Sequence, residues 1–264
     1  MDLSKQYLVD EAPEAIKKAA IKYEDRFKIR FHSLTYFPKA LLDKLFLADE
    51  DVHDIPDAVK VASRGDKTIL NDIEILTRVA NTLTISLDDR KEYFSALKSV
   101  YEKLPSQPGN KCHDEGTLFV APEREGRILA EAMGWLPSGH SLHPNAKRIP
   151  YKDGLIVGLD RFEIQLSYTN CVIVDGAIAS GVTIMAIMEK LSTVTKSFHI
   201  YSVHSTCEGL RAVIRHGEIL GVNVDITVGH ATSGMNEKFY AVLPNNPPKL
   251  IVGDLGDTIS MLET

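Results

Sequence analysis

Apolar residues follow two different rhythms along this chain. Through residues 1–105 they recur every three to four positions, the period of an amphipathic helix. PEAIKKAAIKYEDRF opens on Pro13, suited to a first helical turn, and sets Ile16, Ala19, Ala20, Tyr23 and Phe27 on one face. PKALLDKLF is a shorter segment of the same kind. ILNDIEILTRVANTL repeats the period at Ile69, Ile73, Leu76 and Ala80. SLDDRKEYFSALKSVYEKL starts with a cap, Ser86, and an acid at Asp89; Phe94, Leu97, Tyr101 and Leu104 line its face. These stripes predict helix packing rather than chemistry. The turn-rich PSQPGNKCHDEG has no period and marks a boundary between a helical N-terminal extension, residues 1–110, and a second domain, residues 111–264.

After residue 116 the rhythm changes. TLFVA, GLIVGL, CVIVD, FHIYSVHS and VDITVGH are short apolar runs that predict strands. GRILAEAMGWL, GVTIMAIMEKL and EGLRAVIRHG predict helices of about ten residues between them. Strands alternating with helices predict an α/β fold with a parallel sheet flanked by helices.

Composition narrows the function classes. The chain has 264 residues, 44% hydrophobic and 25% charged, the profile of a globular protein with a full core. No apolar run approaches the ~20 residues of a membrane span, and the N-terminus lacks an apolar signal core, so the expectation is a cytoplasmic protein without a membrane partner. A formal net charge of −6 argues against a nucleic-acid partner, but a few local donors still suffice for a small anion. Cys112, Cys171 and Cys207 form no C-x-x-C, so neither a disulfide framework nor a zinc site is expected; Cys171, heading an apolar strand, reads as a small core residue. His140 and His143 are broken by Pro144 and do not suggest a metal pair.

The chemistry concentrates in CVIVDGAIASGVT, residues 171–183. A buried strand runs into Asp175, and a small turn leads to the next helix. In open parallel sheets ligands bind beyond the carboxyl ends of strands. The first N–H groups of a helix lack intrahelical partners and lie at the positive end of its dipole, a ready phosphate cradle. Gly181 permits close backbone approach, and Ser180 and Thr183 add hydroxyls. A carboxylate and an anion hole one loop apart suit a sugar phosphate. The same residues also read as an ordinary strand–turn–helix with a capping acid. The stretch is neither a P-loop nor a dinucleotide fingerprint.

VIVDGAIASGVT resembles the PRPP-binding motif of type I phosphoribosyltransferases. Most members carry two adjacent acids. Here Gly176 replaces the second, as Pro does in the uracil phosphoribosyltransferase branch, which this chain resembles most. VAPEREG resembles that branch's V-P-I-L-R-A-G loop, STCEG its A-A-P-E-G turn, and MNEKFYAV with VGDLGD its C-terminal L-N-E-K-G-Y-I-V-P-G-L-G-D-A-G-D. The resemblance covers residues 117–264.

It implies transfer of 5-phosphoribose from PRPP to a ring nitrogen of a uracil-like or related heteroaromatic base, with Mg²⁺ as cofactor and a homodimer as the assembly. It places Asp175 and Arg124 as catalytic residues. Arg124 would meet the pyrophosphate, and Asp175 the ribose hydroxyls. Gly176, Ala177, Ile178, Ala179, Ser180, Gly181, Val182 and Thr183 would hold PRPP together with Tyr240. Tyr240, Ala241, Val242, Gly253 and Asp254 would form the base site, after Asn236, Glu237 and Lys238. Mg²⁺ would be carried by PRPP, near Asp254, without direct side-chain ligands. Lys147 and Arg148 read either as part of a hood or as a solvated basic pair in a loop. Two departures stand out. LPNNPPKLI interrupts the base-reading loop, and Glu125 puts a negative charge beside Arg124. The latter keeps open a second reading, a PRPP- or nucleotide-binding regulator without turnover.

Overall fold

The computed structural model describes residues 5–46, 55–82, 85–107, 116–123, 125–135, 140–164, 166–232, 234–235, 241–243 and 246–250. In chain order the first elements are β1 (Lys5–Leu8), α1 (Glu14–Phe27), β2 (Ser33–Phe37), α2 (Lys39–Phe46), β3 (Val59–Val61), α3 (Ala62–Gly65), α4 (Thr68–Ala80) and α5 (Leu87–Glu102). They are followed by β4 (Thr117–Val120), α6 (Glu125–Ala132), β5 (Ser141–Leu142), β6 (Ala146–Tyr151), β7 (Gly154–Leu159) and β8 (Asn170–Ile178). The chain continues through α7 (Val182–Leu191), β9 (Ser197–Thr206), α8 (Cys207–Leu220), β10 (Asn223–Thr232), β11 (Val242–Leu243) and β12 (Asn246–Leu250). No helix among the described residues is long and apolar enough to cross a membrane.

The expected parallel sheet is present. Six strands lie in the order β3-β10-β9-β8-β4-β5, each pair parallel. The aliphatic runs make this possible, because a strand covered on both faces needs apolar side chains on both. Cys171 and Ile173 point into one buried cluster with Leu41 of α2, Met185 of α7 and Leu210 of α8. Val172 and Val174 point into the other with Ile73 of α4, Leu97 of α5 and Leu129 of α6. Helices therefore cover both faces. Burial pushes the Cys171 thiol far above its usual range, as befits a core residue.

Two expectations need correction. The first 110 residues are not purely helical: they also contribute β1, β2 and β3. HSLTYF and AVKV are too short to stand out beside the helical period, but β3 finds a partner in β10 and β2 in β7. GLIVGL is a strand, β7, but not of the parallel sheet. It belongs to a four-stranded antiparallel sheet, β1-β2-β7-β6. Only Lys152 and Asp153 separate Tyr151 from its partner Gly154, and a two-residue connection can make a hairpin but not a parallel crossover. Lys147 and Arg148 consequently sit on β6, not in a loop. The four- and six-stranded sheets both contain strands from both sides of residue 110. The α1 stripe packs Ile16 and Ala20 against Leu34, Ile149 and Ile156 of the antiparallel sheet, while Phe27 stays largely exposed. At the start of α5 the expected cap forms as a full capping box: Ser86 Oγ accepts from Asp89 N at 3.1 Å, and Asp89 Oδ2 accepts from Ser86 N at 3.0 Å.

Candidate functional site

The chain leaves β4 through α6 toward β5 on one side, and leaves β8 through α7 toward β9 on the other. The winding reverses between β4 and β8, and in open α/β sheets the crevice at such a reversal is the usual ligand site. Register opens this crevice further. Pairing of β8 with β4 ends at Ile173, opposite Val120, whereas pairing with β9 continues to Ile178, opposite Ser205. Beyond Ile173, β8 is thus flanked by β9 alone within the sheet.

Asp175 lies on this stretch. It is inside the strand rather than at its end as the sequence suggested, because β9 runs to Thr206 and continues the ladder past it. Asp175 is half-buried, and its Oδ1 accepts the N–H of Gly176 at 2.9 Å. Its main-chain oxygen accepts from Tyr101 Oη at 3.3 Å. Tyr101 is fully buried on α5 and meets Trp135 edge-on, ring centroids 5.0 Å apart. Its periodicity marks it only as a core residue; that it also reaches the site strand is decided by how α5 packs on the sheet.

The turn after β8 is tightly held from one side. Ser180 is buried and Thr183 half-buried. Gly181 adopts φ 71°, in the left-handed region that favours glycine, and a Cβ there would stand 2.5 Å from Val213 Cγ2 of α8. The Ala179 carbonyl accepts from Thr206 Oγ1 at 2.6 Å. A Cβ on Gly209 would stand 1.9 Å from that same oxygen. The N-cap of α7 is Gly181, which has no side chain to cap with, so its first-turn N–H groups, which have no intrahelical acceptors, are not claimed by a side-chain cap among the described residues. Thr206 and Gly209 both fall in STCEG, where the resemblance pointed to the turn but not to its contact with Ala179.

The loop following β4 reaches the same place. A Cβ on Gly126 would stand 2.3 Å from the carbonyl of Val174, so the first turn of α6 lies against β8 one position before Asp175. Glu123 Oε1 accepts from Arg127 Nη1 at 3.1 Å and from Arg161 Nη1 at 2.7 Å. Arg124 lies outside the described residues, as do Asn236, Glu237, Lys238, Tyr240, Gly253 and Asp254. Ala241 is buried and bridged to Met235, and Val242 starts β11 opposite Leu250 of β12. Most of the intervening LPNNPPKLI is therefore a β-hairpin. Of its three prolines, Pro244 lies outside the described residues, while Pro247 and Pro248 fall in a two-stranded sheet in which each strand has an edge that need not donate hydrogen bonds.

Beside the turn, at the carboxyl ends of β9 and β10, His204 and His230 are paired in register, ring centroids 6.0 Å apart. His204 Nε2 lies 3.1 Å from Thr232 Oγ1, and His230 Nδ1 lies 2.9 Å from Ser63 Oγ. Burial, and then the neighbouring His230, pulls the His204 pKa down to about 3; burial also lowers that of His230. Both rings are neutral at pH 7. Among the described residues no group of three or more His, Cys, Asp or Glu side chains converges as a metal site.

No family model matches the sequence, and no curated protein matches it. Among solved structures the chain is similar to the AQ2163 protein from Aquifex aeolicus, with 19% identity, 75% of this chain and 96% of that chain covered, and a TM-score of 0.50. Weaker likenesses include adenine phosphoribosyl transferase from Trypanosoma brucei in complex with AMP, pyrophosphate and ribose-5-phosphate, at 11% identity, 56% and 68% coverage and a TM-score of 0.37. Another is orotate phosphoribosyltransferase from Mycobacterium tuberculosis in complex with PRPP, at 11% identity, 64% and 94% coverage and a TM-score of 0.35. The chain is a mixed α/β protein with a six-stranded parallel sheet flanked by helices, a fold it shares with the Aquifex protein.

Proposed function

We propose that the protein transfers 5-phosphoribose from PRPP to a ring nitrogen of a uracil-like or related heteroaromatic base. The observation that carries this reading is the placement of Asp175 and the Ala179–Thr183 turn at the reversal of the sheet, with Gly126 of α6 against the same strand. The motif resemblance assigns the same three pieces to one substrate.

In the proposed reaction the base nitrogen bonds to C1 of the ribose as the C1–O bond to pyrophosphate breaks, its electron pair leaving with pyrophosphate and the ring N–H proton released to solvent. The protein's task is positioning and electrostatics. Asp175, its carboxylate oriented by the Gly176 N–H, accepts from the ribose 2′ and 3′ hydroxyls. The amides of residues 179–183 receive the 5′-phosphate. The motif resemblance assigns Arg124 to the pyrophosphate, Tyr240 to the ribose and the base, and Ala241, Val242, Gly253 and Asp254 to the base. A hard cation suits the oxygen-rich pyrophosphate and ribose, and carried there it needs no direct side-chain ligand. Mg²⁺, carried by PRPP, would supply charge neutralisation to the departing pyrophosphate.

The test is pyrophosphate release from PRPP and Mg²⁺ across a panel of pyrimidines and other heteroaromatic bases. Release with one base establishes both activity and acceptor. PRPP binding without release for any base would favour the regulator, to which the acids on either side of Arg124, Glu123 and Glu125, lend support. Absence of PRPP binding would overturn the transferase and the PRPP-binding form of the regulator.

A further inference from the structure

We propose that Thr206 is a positioning residue for the phosphate-binding turn. It belongs to the neighbouring strand–helix unit and acts on the turn through a single carbonyl. The proposal rests on the reading of residues 179–183 as the 5′-phosphate site.

The hydroxyl of Thr206 has two partners. It accepts the N–H of Gly209, capping α8, at 2.9 Å. It donates its own proton to the Ala179 carbonyl at 2.6 Å. Accepting one bond and donating the other commits the hydroxyl's orientation, so its proton has one destination. Thr206 is fully buried, and no water competes for it.

The consequence follows from peptide geometry. The described chain contains no cis peptide bond, and in a trans peptide the C=O and the following N–H point in opposite directions. Tying the Ala179 carbonyl down onto α8 therefore aims the Ser180 N–H away from α8, toward the side of the turn that α8 does not cover. Gly209 makes room for that orientation, since the carbonyl occupies the space a Cβ would need. Gly181 then follows in the left-handed region and α7 begins, adding its own N–H groups to the set. A turn of small residues would otherwise sample several peptide orientations. Thr206 selects the one in which Ser180 N–H joins the helix N-terminus, so that the phosphate meets a cradle already assembled. Thr206 touches no reacting atom. Its effect is on how well the 5′-phosphate is held.

The experiment compares wild type with Thr206→Val, which keeps the branched shape and loses the hydroxyl, and Thr206→Ser, which keeps the hydroxyl. Ribose 5-phosphate and Mg²⁺-pyrophosphate serve as separate calorimetric probes of the two halves of PRPP. Thr206→Val should weaken ribose 5-phosphate about tenfold, the scale of one well-placed hydrogen bond, while leaving pyrophosphate affinity within about twofold. Thr206→Ser should bind both like wild type. Equal ribose 5-phosphate affinity in wild type and Thr206→Val would overturn the positioning role alone. Equal losses on both probes would overturn it in favour of a general folding defect. Wild type that binds pyrophosphate but no ribose 5-phosphate would overturn the underlying phosphate site as well.

Discussion

β8–α7 and β9–α8 are the same supersecondary unit built side by side, and they end differently. At β9–α8 the strand passes directly into the helix. Thr206 is the last residue of one and the cap of the other, and the junction is buried. At β8–α7 three residues intervene, the N-cap is a left-handed glycine, and no side chain caps the helix. One junction satisfies its helix N-terminus from within; the other does not. The closed junction also contacts the open one, through Thr206 and Gly209 against Ala179. On the proposed reading, the open junction binds the phosphate and the closed one holds the binder in shape.

The change with the largest expected effect is Asp175→Asn. It leaves both junctions intact but removes the charge that receives the ribose hydroxyls, and PRPP-dependent pyrophosphate release should fall on the order of a hundredfold. Unchanged PRPP affinity and turnover would remove Asp175 from the site. pH acts on the braced side. His204 is held neutral in the folded state, with its pKa down at about 3, while in the unfolded chain a histidine titrates near 6.5. Below about pH 6.5 the unfolded chain takes up a proton that the folded chain refuses. Stability should therefore drop as pH falls from about 6.5 toward 3, by ~1.4 kcal/mol per pH unit from this group. Denaturant melts between pH 7 and 4.5 would show it, and His204→Gln should flatten the slope by one proton; an identical slope would place the penalty elsewhere.

The glycines separate the two junctions on a smaller scale. Gly209→Ala drives a Cβ into a backbone oxygen that cannot retreat without moving the turn, and should cost about 1–3 kcal/mol in thermal or chemical melts. At Gly181 the obstacle is the end of the Val213 side chain, which can rotate, so Gly181→Ala should cost about 1–2 kcal/mol, mostly from the left-handed φ. A larger cost at Gly181 than at Gly209 would contradict the view that the closed junction carries the constraint.

Much of this architecture was legible in the chain. The switch from helical period to short apolar runs located β4, β8, β9 and β10 and the helices between them. Ser86 and Asp89 announced a capping box that the structure contains. Asp175 and the Ser180–Thr183 turn stood out because an acid and a small turn are anomalous at the end of an aliphatic run. Other elements were not legible. β2 and β3 are short, and each acquires its strand conformation from a partner more than a hundred residues away. GLIVGL looks like any buried strand, and only the two-residue turn before it excludes it from the parallel sheet. Tyr101, Gly126, Thr206 and Gly209 are unremarkable by residue type, since each acts through one contact with a distant backbone carbonyl.

The sequence by itself determined where strands and helices alternate, that the sheet would be parallel, and that residues 171–183 would carry an acid followed by a turn of small residues into a helix. Those properties depend on side-chain periodicity and on the conformations open to a few neighbouring residues, which are local. Only the tertiary structure decided that β4 stops at Val120 while β9 continues to Thr206, leaving Asp175 on a strand flanked in the sheet by β9 alone, and that Thr206 reaches the Ala179 carbonyl. Register and close packing are set by segments far apart in the chain. No short window of residues contains them.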